Sequence, residues 1–319
     1  KLGFITLQKN RSNTLVNIIG LSLGIGILLL ISIFAANELS MDKFQENSSQ
    51  IYKVSNGISS GTPGPLEALL ENNFPQIQAA CHIETRQLLA LSPILSYKND
   101  TYEIDAYYSV NADFFDVFDF QVLRGDVRKA LRSPFTMILT ESEAARIFPE
   151  EDPIGQVIIW RSNQDFTFTV EAIVRDVPQN SSIQFKGLIS EASTKKMTPY
   201  YPDNCNIGVY ETYLLLNHGI SPLSLEEKLR SFLIAYYEEN LSSSPFRDEA
   251  RENPLTLHTL KEVYFNRELR FDTTNRGNIL LVRVLIVMGI IILLLSIINY
   301  ANLSTAKASN RKKEIGVQK

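Results

Sequence analysis

Val284-Leu-Ile-Val-Met-Gly-Ile-Ile-Ile-Leu-Leu-Leu-Ser-Ile-Ile298 is the stretch that decides the architecture of this chain. It lies in a run without charged residues that extends over positions 284–306, a length of 23 residues. A helix of that length is about 34 Å long, enough to cross a hydrocarbon core of about 30 Å. Backbone polar groups find no water in lipid, so a crossing segment must be helical. We therefore predict a transmembrane helix, followed by the charged segment Asn310-Arg-Lys-Lys-Glu-Ile-Gly-Val-Gln-Lys319.

A second run without charged residues occupies positions 14–36, again 23 residues. A cleaved signal peptide is the alternative, with Ala35-Ala36-Asn37 as its cleavage site. The apolar part is longer than the roughly 7–15 residues of such segments, which favours a second transmembrane helix. Positions 1–13 mix apolar and basic residues, a pattern typical of an amphipathic helix on the inner membrane face.

Charge is unevenly distributed along the 319 residues. The two ends carry eight Lys and Arg residues against the single acid Glu314, whereas positions 37–278 carry a net charge of −12. Because short basic flanks stay in the cytoplasm, we predict that both ends are cytoplasmic and that the middle is exported. An acidic exported part argues against nucleic-acid binding, which needs a basic face.

The predicted organisation therefore has five parts. They are a cytoplasmic amphipathic segment at 1–13, a transmembrane helix at 14–36, an exported domain at 37–278, a second transmembrane helix at 279–303 and a cytoplasmic arm at 304–319. The chain starts without Met and stops inside an apparent helix, so we expect a fragment of a longer protein.

Two glycines four positions apart, Gly20 and Gly24, lie in the first predicted span. Small residues at this spacing let two helices approach closely in lipid. We predict a helix-packing face at these glycines, although glycine also occurs in membrane helices without such a role. The pattern leaves open whether the partner is the second span, a later span or another subunit.

The exported part mixes strand and helix patterns without regular alternation, which favours an α+β domain. Thr140 with Glu143 forms a capping-box pattern at the start of a helix over 141–148, and Ser224 with Glu227 predicts the start of another. A further helix is predicted at 65–74. Strands are predicted at positions 51–54, 101–110, 166–174, 210–216, 255–260 and 263–265.

The chain has no residue pattern typical of a catalytic or metal site. His82, His218 and His258 are not at metal-ligand spacing, and no glycine-rich phosphate loop occurs. We therefore predict no catalytic residue, no metal and no cofactor in this chain. Cys81 and Cys205 both lie in the exported part, where a disulfide is permitted and two isolated buried thiols are the alternative.

Several stretches resemble the MacB/FtsX-type permeases of ABC transport systems. The resemblance covers nearly the whole chain, and its specificity comes from the order and spacing of stretches that are each weak alone. These stretches are Val16-Asn-Ile-Ile-Gly-Leu-Ser-Leu-Gly24, Glu38-Leu-Ser-Met-Asp-Lys-Phe44 with Ile51-Tyr-Lys-Val54, Asn111-Ala-Asp-Phe-Phe-Asp-Val-Phe118 with Leu123-Arg-Gly-Asp126, Leu139-Thr-Glu-Ser-Glu-Ala-Ala-Arg-Ile-Phe148 with Asp152-Pro-Ile-Gly155, positions 170–182, and Asn299-Tyr-Ala-Asn-Leu-Ser-Thr-Ala306 with Lys313-Glu-Ile-Gly-Val317.

The resemblance implies a periplasmic α+β domain in two subdomains, anchored in the inner membrane of a bacterium, with further spans after Lys319. It also implies a separate or fused ABC ATPase that binds ATP and Mg, and a homodimer or pseudo-dimer. A periplasmic adaptor and an outer-membrane channel are further partners that it allows.

The resemblance also suggests a mechanism. ATP hydrolysis in the cytoplasm would move the periplasmic domain and so drive efflux or export of a small molecule, a peptide or a lipoprotein. In such permeases the arm after the second span leads into the contact with the ATPase. The residues that match this position are Arg311, Lys312, Lys313, Glu314, Ile315 and Gly316.

Two other classes of protein fit the same arrangement of spans. A two-span membrane receptor with an extracytoplasmic sensor domain would need a signalling helix bundle after the second span. An anchored exported enzyme would need a catalytic site, for which the sequence has no pattern.

Overall fold

The structure is a computed structural model of the chain, and it divides into two units. We call Lys1–Ser40 with Asn278–Lys319 the helical unit and Met41–Gly277 the sheet unit. Cys205 and most of the predicted segment 1–13 lie outside the described residues. The structure describes residues 11–57, 59–63, 66–84, 94–162, 164–197, 208–240, 251–253, 255–270 and 274–317.

Helices and strands are numbered in chain order over these described residues. The helices are α1 (Arg11–Leu39), α2 (Leu66–Asn73), α3 (Phe114–Val117), α4 (Val127–Arg132), α5 (Glu141–Ile147), α6 (Glu191–Met197), α7 (Pro222–Asn240), α8 (Leu260–Phe265) and α9 (Ile279–Val317). The strands are β1 (Ile51–Asn56), β2 (Thr62–Pro63), β3 (Ile77–Glu84), β4 (Ile94–Tyr97), β5 (Asp100–Glu103), β6 (Tyr107–Val110), β7 (Val122–Gly125), β8 (Thr136–Thr140), β9 (Val157–Arg161), β10 (Asp165–Val174), β11 (Gly187–Ser190), β12 (Gly208–Leu216) and β13 (Leu255–Thr259).

The helical unit is built from α1 and α9. Stretches of 22 residues in α1, Ile18–Leu39, and of 24 residues in α9, Ile279–Asn302, are long and apolar enough to cross a membrane. Large apolar side chains on both are exposed, for example Leu30 at 69% and Leu295 at 60%. Exposing so much apolar surface to water is costly, whereas lipid accommodates it. After Asn302 the backbone stays helical as far as Val317, so α9 has no break between span and arm.

The sheet unit is one mixed sheet of thirteen described strands. Its order is β13-β1-β12-β3-β6-β11-β8-β10-β9-β4-β5, with β2 paired to β12 and β7 paired to β10. The pairs β6–β11 and β8–β10 are parallel, and the other described pairs are antiparallel. Such a sheet with helices joined irregularly to its strands is the mixed α/β, or α+β, class predicted from the sequence.

One strand pair joins the two halves of this sheet. The β1 half contains β13, β1, β12 and β3, and the β8 half runs from β6 to β5. In the described register, β3 and β6 meet only at Ile83 opposite Val110 and Glu84 opposite Ser109. We call this short pairing the seam. One apolar cluster lies around Leu229 in the β1 half and another around Trp160 in the β8 half, and a third, which includes Ile83 and Val110, spans the seam.

Several predicted elements differ from the structure. The predicted strand 101–110 is two strands, because Ala106 has φ +56° and turns the chain between them. Ser224 does not begin a helix: α7 starts at Pro222, and the Ser224 hydroxyl donates to the Ser221 carbonyl. The predicted strand 263–265 is part of helix α8.

Two helix starts show how local hydrogen bonds set these boundaries. At α8, Thr259 and Glu262 form a capping box in which each side chain accepts from the other's backbone N–H, so the strand ends and a helix begins. At α5, Thr140 accepts from Glu143 N as predicted. The Glu143 carboxylate instead accepts from Tyr107 and Arg146, so that box is only half formed.

Candidate functional site

Helices α1 and α9 pack closely at Gly24. A Cβ atom added there would overlap the Ser296 hydroxyl and lie 3.0 Å from Ser296 Cβ. Ser296 Oγ donates to the Ile292 carbonyl at 2.9 Å and lies 3.5 Å from the Gly20 carbonyl. The hydroxyl is therefore satisfied inside the pair, as a polar group in lipid must be. In this structure the partner of the Gly24 face is the second span.

The other described glycines of the two helices differ in how closely they approach the neighbouring helix. A Cβ on Gly20 would lie 3.9 Å from Asn299 Nδ2, an ordinary contact, and one on Gly26 would meet nothing within 4 Å. On α9, a Cβ on Gly289 would lie 3.1 Å from Leu28 and 3.2 Å from Ile31. Gly289 is thus a second close approach, which the four-residue spacing missed. Its signal in the sequence is a lone small residue within a long aliphatic run.

The six residues predicted to contact an ATPase lie together on the last turns of α9. They are Arg311, Lys312, Lys313, Glu314, Ile315 and Gly316. The structure places their backbone on the same uninterrupted helix as the span.

A buried ionisable cluster lies at the seam of the sheet unit. His82 on β3 is fully buried; its Nδ1 is 2.9 Å from Glu67 on α2, and its Nε2 is 3.8 Å from Glu191 on α6. Glu84 lies two residues further along β3, on the same face. We call His82, Glu67, Glu84 and Glu191 the seam cluster. Because α2 packs in the β1 half and α6 directly follows β11 of the β8 half, the imidazole links helices of both halves.

The charges of the seam cluster shift one another's protonation. Burial acts to lower the pKa of His82, but Glu67, Glu191 and Glu84 together raise it above its ordinary value. Burial acts to raise the pKa of Glu67, but the His82 imidazolium holds it below its usual range. Both shifts favour the charged form of the group, so they stabilise an imidazolium beside a carboxylate, shielded from solvent.

A second buried ion pair lies on the opposite face of the sheet. Lys53 Nζ is 2.8 Å from Glu211 Oε2, and both side chains are at most 3% exposed. The Tyr213 hydroxyl donates to the same Glu211 oxygen at 3.3 Å, and the Lys53 ammonium lies 5.3 Å from the Tyr213 ring centre. The sequence interpretation missed both buried groups of charges. Lys53 within the apolar strand segment Ile51-Tyr-Lys-Val54 is the signal that could have found this one.

Among the described residues we find neither a group suited to bind a metal ion nor a cysteine with an activated thiol. They contain no group of three or more His, Cys, Asp or Glu that could hold a metal ion. Cys81 is a free thiol, and burial raises its pKa well above the ordinary value, which keeps it protonated. Its predicted candidate partner, Cys205, is outside the described part of the chain.

Comparison with known proteins identifies the family. The family described as MacB-like periplasmic core domain matches residues 14–232. A domain of a candidate permease protein from Porphyromonas gingivalis has the same fold, with 22% identity and a TM-score of 0.53 over 75% of this chain and 98% of that one. A search of curated proteins returned no match in sequence.

Two further solved structures are similar at lower scores. The periplasmic region of MacB from Actinobacillus actinomycetemcomitans has 15% identity and a TM-score of 0.48, covering 67% of this chain and 90% of that one. The extracellular domain of the noncanonic ABC-type transporter YknZ from Gram-positive bacteria has 10% identity and a TM-score of 0.44, covering 59% of this chain and 95% of that one.

The fold and the two apolar helices define a membrane protein with a periplasmic segment. The chain belongs to the MacB-like periplasmic core domain family and is a permease of the MacB/FtsX type. The family comprises permease components of ABC-type transporters, which are not themselves catalytic. Membership favours the permease over the receptor and the anchored enzyme that the sequence left open.

Proposed function

We propose that this permease converts ATP hydrolysis on a cytoplasmic ABC ATPase into movement of its periplasmic domain. The movement drives efflux or export of a small molecule, a peptide or a lipoprotein. The protein acts in the inner membrane of a bacterium as a multi-pass homodimer or pseudo-dimer, and it binds no nucleic acid. A periplasmic adaptor and an outer-membrane channel complete the path outward.

The observation that carries this proposal is the continuity of α9. Its 39 residues form one helix, about 58 Å long at 1.5 Å per residue. The candidate span ends at Asn302, and the helix then continues for a further 15 residues. That extension carries Lys307, Arg311, Lys312 and Lys313 against the single acid Glu314. One helix that joins a cationic arm to a span supports the transmission of force between compartments.

Packing within the helical unit supports the same role. Gly24 and Ser296 are in close contact, without a gap between the two helices. Such close packing resists movement of α1 relative to α9. Basic residues at both ends favour a cytoplasmic location for the arm. Together these features fit a pair of helices that move as one body when the arm is displaced.

Reversing the charge of the arm tests the proposal. In the full-length protein, Lys312→Glu with Lys313→Glu should abolish co-purification of the ABC ATPase and its ATP-driven transport, while membrane insertion stays normal. Co-purification is measured by affinity capture from detergent-solubilised membranes, followed by assay of vanadate-sensitive ATP hydrolysis.

The matched control is Lys228→Glu with Lys261→Glu, the same change of charge at two exposed lysines of α7 and α8. This control should retain the ATPase. If the arm variant also retains the ATPase and the transport, the arm is not the contact and the proposal is wrong.

A further inference from the structure

One loop of the sheet unit holds both chain segments that adjoin the apolar helices. This loop, residues 178–184, lies between β10 and β11 in the chain, and we call it the clasp loop. It bonds to the segment after α1 through Asp42 and to the segment before α9 through Asn275. Asp42 lies three residues after Leu39, and Asn275 lies four residues before Ile279. All of these bonds are inside the sheet unit.

Asp42 makes two hydrogen bonds to the clasp loop, one as a donor and one as an acceptor. Its backbone N–H donates to the Asn180 carbonyl at 2.7 Å, and its Oδ1 accepts from Ser182 N at 2.8 Å. The residue is 2% exposed and has φ +57°, a left-handed conformation that Asp tolerates better than most side chains do. Burial raises the pKa of its carboxyl, while the bonds from Ser182 and Ser181 act to lower it. Backbone held in this region by its surroundings is often found at functional positions.

Ser182 of the clasp loop is hydrogen-bonded to both of these segments. Its N–H donates to Asp42, and its carbonyl accepts from Asn275 N at 2.9 Å. One residue therefore bonds to both connections to the helical unit. Ser182 is 1% exposed, so these two bonds do not compete with solvent.

The clasp loop is braced from within. Gln184 Nε2 donates to the Pro178 carbonyl at 2.7 Å and to the Ser181 carbonyl at 2.9 Å, and the Ser181 hydroxyl donates to the Ile183 carbonyl at 2.8 Å. Ile183 and Phe185 are buried in the same apolar cluster as Val174 at the end of β10. Because the loop is held by internal hydrogen bonds and by buried apolar side chains, a displacement of the loop is transmitted to β10 and β11. A loop without these contacts would change its own conformation instead.

We propose that Asp42 is a positioning residue that couples the segment after α1 to the clasp loop at Ser182, the residue whose carbonyl also bonds to the segment before α9. Movement of α1 and α9 then enters the sheet through β10 and β11. This inference rests on the proposed function, because it names the residues through which the proposed motion reaches the periplasmic domain.

Hydrogen exchange on the full-length permease tests the inference. The protein is placed in lipid nanodiscs with the ATPase that co-purifies with it, and exchange is compared without nucleotide and with ATP plus orthovanadate. In the wild type, exchange across 178–184 should change with nucleotide. Asp42→Ala and Asp42→Gly should lose that change while ATP hydrolysis continues, and the Ser182 amide should exchange about tenfold faster without its carboxylate partner. Asp42→Asn, which keeps an acceptor oxygen, should keep the response.

Two comparisons separate coupling from simple stability. Asp42→Gly relieves the left-handed backbone and so guards against misfolding of Asp42→Ala. Asp126→Ala removes a carboxylate that likewise accepts from a backbone N–H, that of Lys129 at 3.0 Å, and should keep the nucleotide response. A wild-type response in Asp42→Ala and Asp42→Gly overturns the inference alone. A wild type without any nucleotide-dependent change in the sheet unit overturns the proposed function, and this inference with it.

Discussion

Among the described glycines of the two membrane helices, Gly24 is the most crowded. Replacing Gly24 with Leu should destabilise the full chain by about 1–3 kcal/mol, because the new side chain has to displace Ser296 and separate the helices. Gly24→Ala should cost less, since the Ser296 hydroxyl can rotate away. The measurement is thermal or denaturant unfolding of the purified protein in one detergent.

Gly26→Leu is the control for this substitution. The position is two residues away on the same helix, and a Cβ there meets nothing within 4 Å. Its stability should stay close to that of the wild type. Equal losses for Gly24→Leu and Gly26→Leu would mean that helix contact at Gly24 does not set the stability.

Individual residues also show where sequence interpretation stops. A glycine pair can be recognised as a candidate contact, but only the second helix shows that Gly24 is crowded and Gly20 is not. His82 and Glu211 are ordinary polar residues in the sequence, and Lys53 stands out only as a lysine within an apolar strand segment. Their burial depends on strands distant in the chain, as with Lys53 and Glu211, which are 158 positions apart. No local pattern records such a pairing.

At the scale of elements, α9 carries the span and the arm as one helix. Thr305 lies just after the span, and proline there removes one backbone hydrogen bond and clashes with the preceding turn, a cost of about 3 kcal/mol. Thr305→Pro should therefore leave ATPase binding intact but abolish the nucleotide-dependent change in the sheet unit. Affinity capture and hydrogen exchange measure these two outcomes separately.

Thr305→Ala is the matched control for Thr305→Pro. It removes the hydroxyl that donates to the Ala301 carbonyl at 2.8 Å but keeps the helix, so both binding and response should persist. A proline variant that still transmits the nucleotide response would show that a continuous α9 is not required.

Elements also differ in how well local patterns predict them. Local patterns were sufficient to predict α1 and α9 from their apolar runs and β10 from its alternation. In these elements, composition and hydrophobic period determine the type of secondary structure. The end of the sheet unit was not predictable in the same way. Val263 and Tyr264 have strand-forming side chains, yet the Thr259 capping box and burial of Leu260 and Val263 favour a helix there.

For the whole molecule, the α+β class and the permease family could be predicted from the sequence, but the strand order could not. The sheet pairs β1 with β12 and β13, more than 150 positions further along the chain. Nor does any sequence pattern show that β3 and β6 meet at a short seam, or that an imidazole lies across it. Such long-range pairings arise from packing of the complete domain.

The seam cluster makes the stability of the whole sheet unit depend on pH. The raised folded-state pKa of His82 gives a contribution that is full below the unfolded value of 6.5 and is lost as pH rises through the folded pKa. The lowered pKa of Glu67 gives a contribution present above 4.5 and lost as pH falls through its folded pKa. The contribution of the seam cluster should therefore be largest between these values and fall on the alkaline side, as measured by urea unfolding of the full chain in micelles at successive pH values.

His82→Gln should flatten the alkaline fall, because it removes the group that loses its proton there. His258→Gln is the matched control: burial lowers the pKa of His258, so its contribution has the opposite sign and is lost as pH falls. The alkaline fall should therefore remain in His258→Gln. If it remains in His82→Gln as well, the His82 imidazolium does not hold the two halves of the sheet together.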